Sequence, residues 1–171
     1  MNFLQSNNDT DLQAPTESRV RIRRIGLAWA AVVVWAGIVW ALGGDAFSAT
    51  RTNSTIVQIF QALFGDLDMH TRYRILMGVR KSAHFIEYAI LAILTFRAAL
   101  ISASRNRWTS ATWVAIFIVA TLATADEARQ TFSSTRTGSP YDVLLDISAG
   151  AIAIIGLLVI SQRMREGTQT A

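Results

Sequence analysis

Apolar residues gather in four runs: Ile25–Leu42, Ser82–Leu100, Trp108–Ala125 and Val143–Ile160. At a rise of about 1.5 Å per residue each run makes a helix of about 27 Å, close to the depth of a bilayer's hydrocarbon core. The pattern predicts an all-α integral membrane protein, a bundle of four spanning helices. A cleaved leader would also begin with such a run, and Ala41-Leu42-Gly43 resembles a cleavage sequence. The first run is longer than the roughly 7–15 residues of a leader's apolar core. Trp29, Trp35 and Trp40 also suit a membrane helix, so retention is expected.

The connection between the first two runs is long, Gly43 to Lys81. Gly43-Gly44-Asp45 breaks the first helix. Ile56, Val57, Ile59, Phe60, Leu63, Phe64 and Leu67 then recur at helical spacing, with Gln58, Gln61 and Asp66 opposite. That predicts a short amphipathic interfacial helix, along the membrane surface or capping the bundle. Met1–Ser18 is polar and aperiodic and is read as a disordered tail. Residues 166–171 form a polar C-terminal tail, leaving a membrane domain at 19–165.

Composition supports one membrane domain: the chain of 171 residues is 51% hydrophobic and 16% charged, with mean hydropathy +0.33. It contains no Cys, which excludes disulfides, thiolate metal sites and Cys nucleophiles. The pI is near 10.3. The basic residues flank apolar runs rather than forming a patch, so no nucleic-acid partner is expected and the bilayer is the expected surroundings.

Four spans put both chain ends on one side, with the Ile101–Arg107 link. Basic residues are nearly balanced between the two sides, so the first helix decides the orientation. Arg19, Arg21, Arg23 and Arg24 precede it and only Arg51 follows nearby, which places both termini in the cytoplasm.

Candidate chemistry collects on the opposite side. A charge at the bilayer centre costs about 2.5–3.5 kcal/mol, so such groups face a bundle interior as a site or a polar lock. Lys81, His84, Glu87 and Tyr88 share one helix face. Asp126, Glu127 and Gln130 end the third run, and Asp142 and Asp146 open the fourth. These groups form one layer and leave the other face almost apolar, which disfavours a transport path. His84 and Glu87 read as a base with its orienter, as two metal ligands, or as a structural pair. Asp126 and Glu127 oppose the dipole at a helix C-terminus, which calls for a partner such as Lys81, Arg129 or Arg136. Ser139-Pro140-Tyr141-Asp142 reads as a helix start with Ser139 or Asp142 as cap. Ala149, Gly150, Ala153 and Gly156 form a small-residue stripe suited to helix contact. No H-E-x-x-H or comparable spacing occurs, so neither a metal nor a cofactor is expected.

Arg80-Lys81-x-x-His84-Phe85-x-x-Tyr88, Asp126-Glu127-x-x-Gln130, Arg136 and Asp142 resemble, in order and spacing, the VanZ-like family of small bacterial membrane proteins. The likeness runs from Arg80 to Gly156. Its founding member is associated with low-level resistance to the lipoglycopeptide teicoplanin. The resemblance implies a four-helix protein of the bacterial inner membrane, with the shared polar residues at Lys81, His84, Tyr88, Asp126, Glu127, Gln130, Arg136, Asp142 and Asp146. The chain departs from the family at Ser134-Thr135, often Pro-Gly, at Ala149 and Ala153, commonly Gly, and at Asp146, frequently Asn.

Two functions remain open. In the first, the outward polar cluster binds or excludes a lipid-linked envelope precursor or a lipophilic molecule such as a lipoglycopeptide. Lys81, Tyr88, Gln130, Arg136, Asp142 and Asp146 are its ligand-binding candidates. In the second, an intramembrane hydrolase or transferase acts on an envelope lipid, with catalytic candidates His84, Glu87, Asp126 and Glu127.

Overall fold

The computed structural model describes the backbone of residues 6–43, 50–103, 107–132 and 139–169, and the side chains of 18–43, 54–103, 107–132 and 139–167. Among these residues the chain forms α1 (Ser6–Leu42), α2 (Thr50–Phe64), α3 (Met69–Ser102), α4 (Trp108–Thr131) and α5 (Pro140–Gln169). Four stretches are long and apolar enough to cross a membrane: Ser18–Leu42, Met69–Ser102, Trp108–Thr131 and Pro140–Gly167. The short α2 lies between the first and second of them, as the spacing of its apolar residues predicts.

The helices outrun the apolar runs that predict them. α1 includes residues 6–18, placed by sequence in a disordered tail, and α5 continues to Gln169 through most of the expected C-terminal tail. Extending a formed helix adds a hydrogen bond for each residue fixed, so a span can carry its helix into polar flanks. α3 begins at Met69, well ahead of Ser82, because Asp68 caps it. The Asp68 carboxylate accepts from the amides of His70 (3.1 Å) and Thr71 (3.2 Å). Hydrogen bonds from Thr71, through its side chain and its amide, hold the Asp68 carboxyl below its ordinary range. α2 stops at Gly65, whose φ of 80° suits a residue without a Cβ. Leu67, expected in the amphipathic helix, therefore falls in the link.

α3 is the central helix and touches each of the other four. Its buried stripe is His84, Tyr88, Leu91, Ala92, Thr95, Phe96 and Ala98. α4 presents Ala111, Ala115, Val119 and Ala123 at intervals of four, then Asp126, Glu127 and Gln130. α5 contributes Asp146, Ala149 and Ile154. Small side chains let the backbones approach, as helix association in lipid requires. A Cβ on Gly150 would lie 3.2 Å from Ala92 and 3.4 Å from Val119, so three helices meet there. Gly156, the last member of the predicted stripe, has nothing within 4 Å of such a Cβ.

α1 is the most peripheral span and is pinned to α3 by indole N–H groups. Trp29 donates to the Ser102 hydroxyl (3.0 Å) and Trp35 to the Glu87 carbonyl (2.9 Å). Ile22, Leu27, Val33, Val34 and Ile38 of α1 are exposed, as a lipid-facing side should be. At the end away from the polar residues, Phe96 meets Trp108 at 5.6 Å and the Arg165 guanidinium lies over the Trp108 ring.

Candidate functional site

The ends of α1 and α4, the start of α5 and the middle turns of α3 bring the polar residues to one end of the bundle. Asp126 lies 18 residues after Trp108, His84 18 before Ser102 and Asp146 17 before Arg163. At the helical rise these separations are about 26–27 Å, so the polar layer sits one hydrocarbon thickness from the opposite rim.

α4 supplies a chain of side-chain bonds. Asp126, almost fully buried, takes hydrogen bonds from Arg129 on one oxygen and from Gln130 Nε2 (2.8 Å) on the other. Gln130 accepts in turn from Arg80 of α3. The Arg129 guanidinium stands 4.3 Å from the centre of the Trp40 ring on α1. Gly43 closes this side: a Cβ there would lie 2.5 Å from an Asp126 oxygen and 2.7 Å from Arg129. The acid that opposes the helix dipole thus has its expected cationic partner, Arg129.

Glu127 points toward the start of α5, where its Oε2 accepts from the Ser139 amide (2.7 Å). Ser139 begins that helix, its hydroxyl accepting from the Tyr141 amide (3.3 Å), with Pro140 in the first helical position. Ser139 is therefore the cap. Asp142, in the first turn, receives Lys81 at 3.2 Å.

Beneath these pairs His84 and Tyr88 stack, with ring centres 6.3 Å apart. His84 Nδ1 faces Asp146 of α5 at 3.7 Å, beyond hydrogen-bond reach. Glu87, the helical neighbour of His84, also gives its backbone carbonyl to Trp35. Four buried atoms here have no hydrogen-bond partner among the described residues: His84 Nδ1, Tyr88 Oη, Glu127 Oε1 and Asp146 Oδ1. Such atoms are rare in native interiors and mark places where water, an ion or a ligand belongs.

A small cleft between α3 and α5 leads to this layer, lined by Met77, Arg80, Lys81, His84, Asp142 and Leu145. Its volume of about 20 Å³ holds one water-sized group. Among the described residues no group of His, Asp and Glu has the arrangement to hold a metal ion.

Of the sequence candidates, Lys81, His84, Tyr88, Asp126, Glu127, Gln130, Asp142 and Asp146 come together at this end, and Arg136 lies outside the described residues. Sequence reasoning missed Trp40 and Gly43 as parts of the layer. Gly43 read only as a helix breaker and Trp40 only as a membrane anchor, because helical periodicity does not say which residues of separate helices face one another.

The geometry defines a multi-pass membrane protein with a buried polar layer at one rim. The VanZ/LLP1 family model matches residues 27–161, and the chain belongs to that family, which is linked in general to teicoplanin resistance. Neither a curated protein nor a solved structure matches it.

Proposed function

We propose that the protein binds the polar head of a lipid-linked or lipophilic cell-envelope molecule at the outer rim of the bacterial inner membrane, and thereby alters sensitivity to glycopeptide antibiotics. The observation that carries this reading is the set of four unpartnered polar atoms, contributed by three helices, beside a cleft whose mouth bears Arg80 and Lys81. A purely structural lock would satisfy its own donors and acceptors, since a buried unpaired group costs about 1–3 kcal/mol. The outward orientation rests on the four Arg ahead of the first apolar run, Ile25–Leu42. Arg136, which falls between α4 and α5 in the sequence, is included in this reading as a sequence candidate.

The test is to purify the protein in mild detergent and identify the lipids that accompany it by mass spectrometry. Wild type is expected to carry an envelope lipid that His84→Ala and Glu127→Ala lose. Equal amounts of the same lipids on all three proteins would refute the proposal.

One observation favours a second reading, an intramembrane hydrolase or transferase: His84 faces a carboxylate across helices. In it Asp146 orients the imidazole and His84 serves as base, while Asp126 and Glu127 are occupied by Arg129 and Ser139. Catalysis requires His84→Gln to abolish the phenotype completely, whereas binding allows graded losses.

A further inference from the structure

The rim opposite the polar layer carries charge of nearly one sign. Trp29 of α1 donates to the Ser102 hydroxyl at the end of α3, and Arg165 of α5 lies over Trp108, which itself meets Phe96. These contacts level the start of the first span, the end of α3, the start of α4 and the end of α5. The four Arg ahead of Ile25 are exposed there, as are Arg107, Arg163 and Arg165, while Glu166 is the acid among the described side chains of that rim.

A further cation lies inside a span. Arg97 is exposed on α3, five residues before Ser102 and hence about 7.5 Å within the helix end. It shares a face with Ile86, Ile90, Ile93 and Ile101, at steps of three and four, away from the buried stripe through His84, Tyr88, Leu91 and Thr95. Ile86 and Ile101 are exposed and Ile90 and Ile93 half-buried, so this is the side that α3 turns to lipid. Among the described residues Arg97 has no hydrogen bond or ion pair. Cations within a span almost always face the bundle interior or a water-filled cavity, and this one faces neither. Its apolar stem must run toward the helix end to bring the guanidinium to the headgroups.

We infer that Arg97 binds the phosphate of an anionic phospholipid, in the leaflet opposite the polar layer, with an acyl chain of that lipid along the isoleucine stripe. The planar guanidinium fork matches phosphate oxygens in geometry and charge. The surrounding arginines select for net negative charge, because the ammonium of phosphatidylethanolamine adds a like charge to this rim and phosphatidylglycerol adds none. The site stands apart from the polar layer: Arg97 follows His84 by thirteen residues, about 20 Å along α3. It therefore holds or fails independently of the proposed function.

The test uses the full-length protein, stripped of lipid in a non-ionic detergent and titrated with phosphatidylglycerol, phosphatidylethanolamine and soluble glycerol phosphate, bound lipid being counted by native mass spectrometry. Phosphatidylglycerol is expected to bind saturably and tighter than phosphatidylethanolamine. Arg97→Gln should weaken phosphatidylglycerol binding about fivefold, the contribution of one basic residue at an anionic surface. Arg163→Gln removes the same charge from the exposed end of α5 and should weaken it by under about twofold, as a screened surface charge does. Arg97→Lys keeps the charge and should keep the preference for phosphatidylglycerol; it replaces Arg97→Gln as the test should the latter fail to accumulate. Equal binding of the two lipids, or no saturable binding of either, overturns the inference and leaves Arg97 a side chain that only reaches for water. Equal losses in Arg97→Gln and Arg163→Gln overturn the assignment to Arg97. Glycerol phosphate binding as tightly as the lipid overturns the lipid as ligand.

Discussion

At the scale of single residues, the layer depends on one position without a side chain. Gly43 lets the Asp126 carboxylate and the Arg129 guanidinium approach the end of α1. Gly43→Ala would put a methyl group 2.5 Å from an Asp126 oxygen, and the carboxylate would have to leave either Arg129 or Gln130. The expected cost is about 1–3 kcal/mol, as for other overpacked sites, seen as a lower Tm in detergent. Gly37→Ala, at a helical glycine with nothing within 4 Å, is the control and should not lower Tm. The residues of the layer were legible in the sequence because charge is conspicuous among apolar runs. Their partners were less so. That His84 faces Asp146 of α5 could not be read, because pairing across helices depends on the rotation of each helix about its axis, which neighbours on one helix do not reveal.

At the scale of elements, α3 organises the molecule by being longer than a span. Its N-terminal turns, Met69–Leu76, stand beyond the polar layer and are started by Asp68. The Asp68 carboxyl is held below its ordinary range in the folded chain, so its contribution is present above the unfolded carboxyl pKa and is lost as pH falls through the folded value. The first turn of α3 should therefore fray in acid, with faster amide hydrogen exchange at His70 and Thr71. Asp68→Asn should remove that pH dependence; unchanged acid sensitivity in the variant would show that another group is responsible. Apolar periodicity located α2 and all four spans, yet it placed the start of α3 too late. The signal missed was a capping Asp before a mixed polar and apolar turn, which hydropathy averages away.

At the scale of the whole molecule, the claim is a set of antiparallel spans with every buried charge of the layer at one rim. The absence of Cys makes its orientation measurable with single introduced cysteines. Tyr141, 79% exposed at the start of α5, and Met164, 63% exposed near its other end, lie on opposite rims. Tyr141→Cys should react with an impermeant thiol reagent on intact cells, and Met164→Cys only after the membrane is opened. The reverse pattern would turn the site toward the cytoplasm. Much of the architecture follows from four apolar runs, because a bilayer admits few alternatives to helices that satisfy their own backbone. Whether the polar rim is a lock or a site cannot follow from those runs, since both place charges at helix ends.

The measurement that separates them compares His84→Gln and Glu127→Gln with wild type in cells, reading membrane accumulation, Tm after purification and the glycopeptide concentration that halts growth. For a binding site, both variants should accumulate within about twofold of wild type and melt near it while their effect on antibiotic sensitivity falls, because each near-isosteric change removes a head contact with little change in packing volume. If sensitivity changes only in step with lost protein, the layer is a structural lock and the proposed function is wrong.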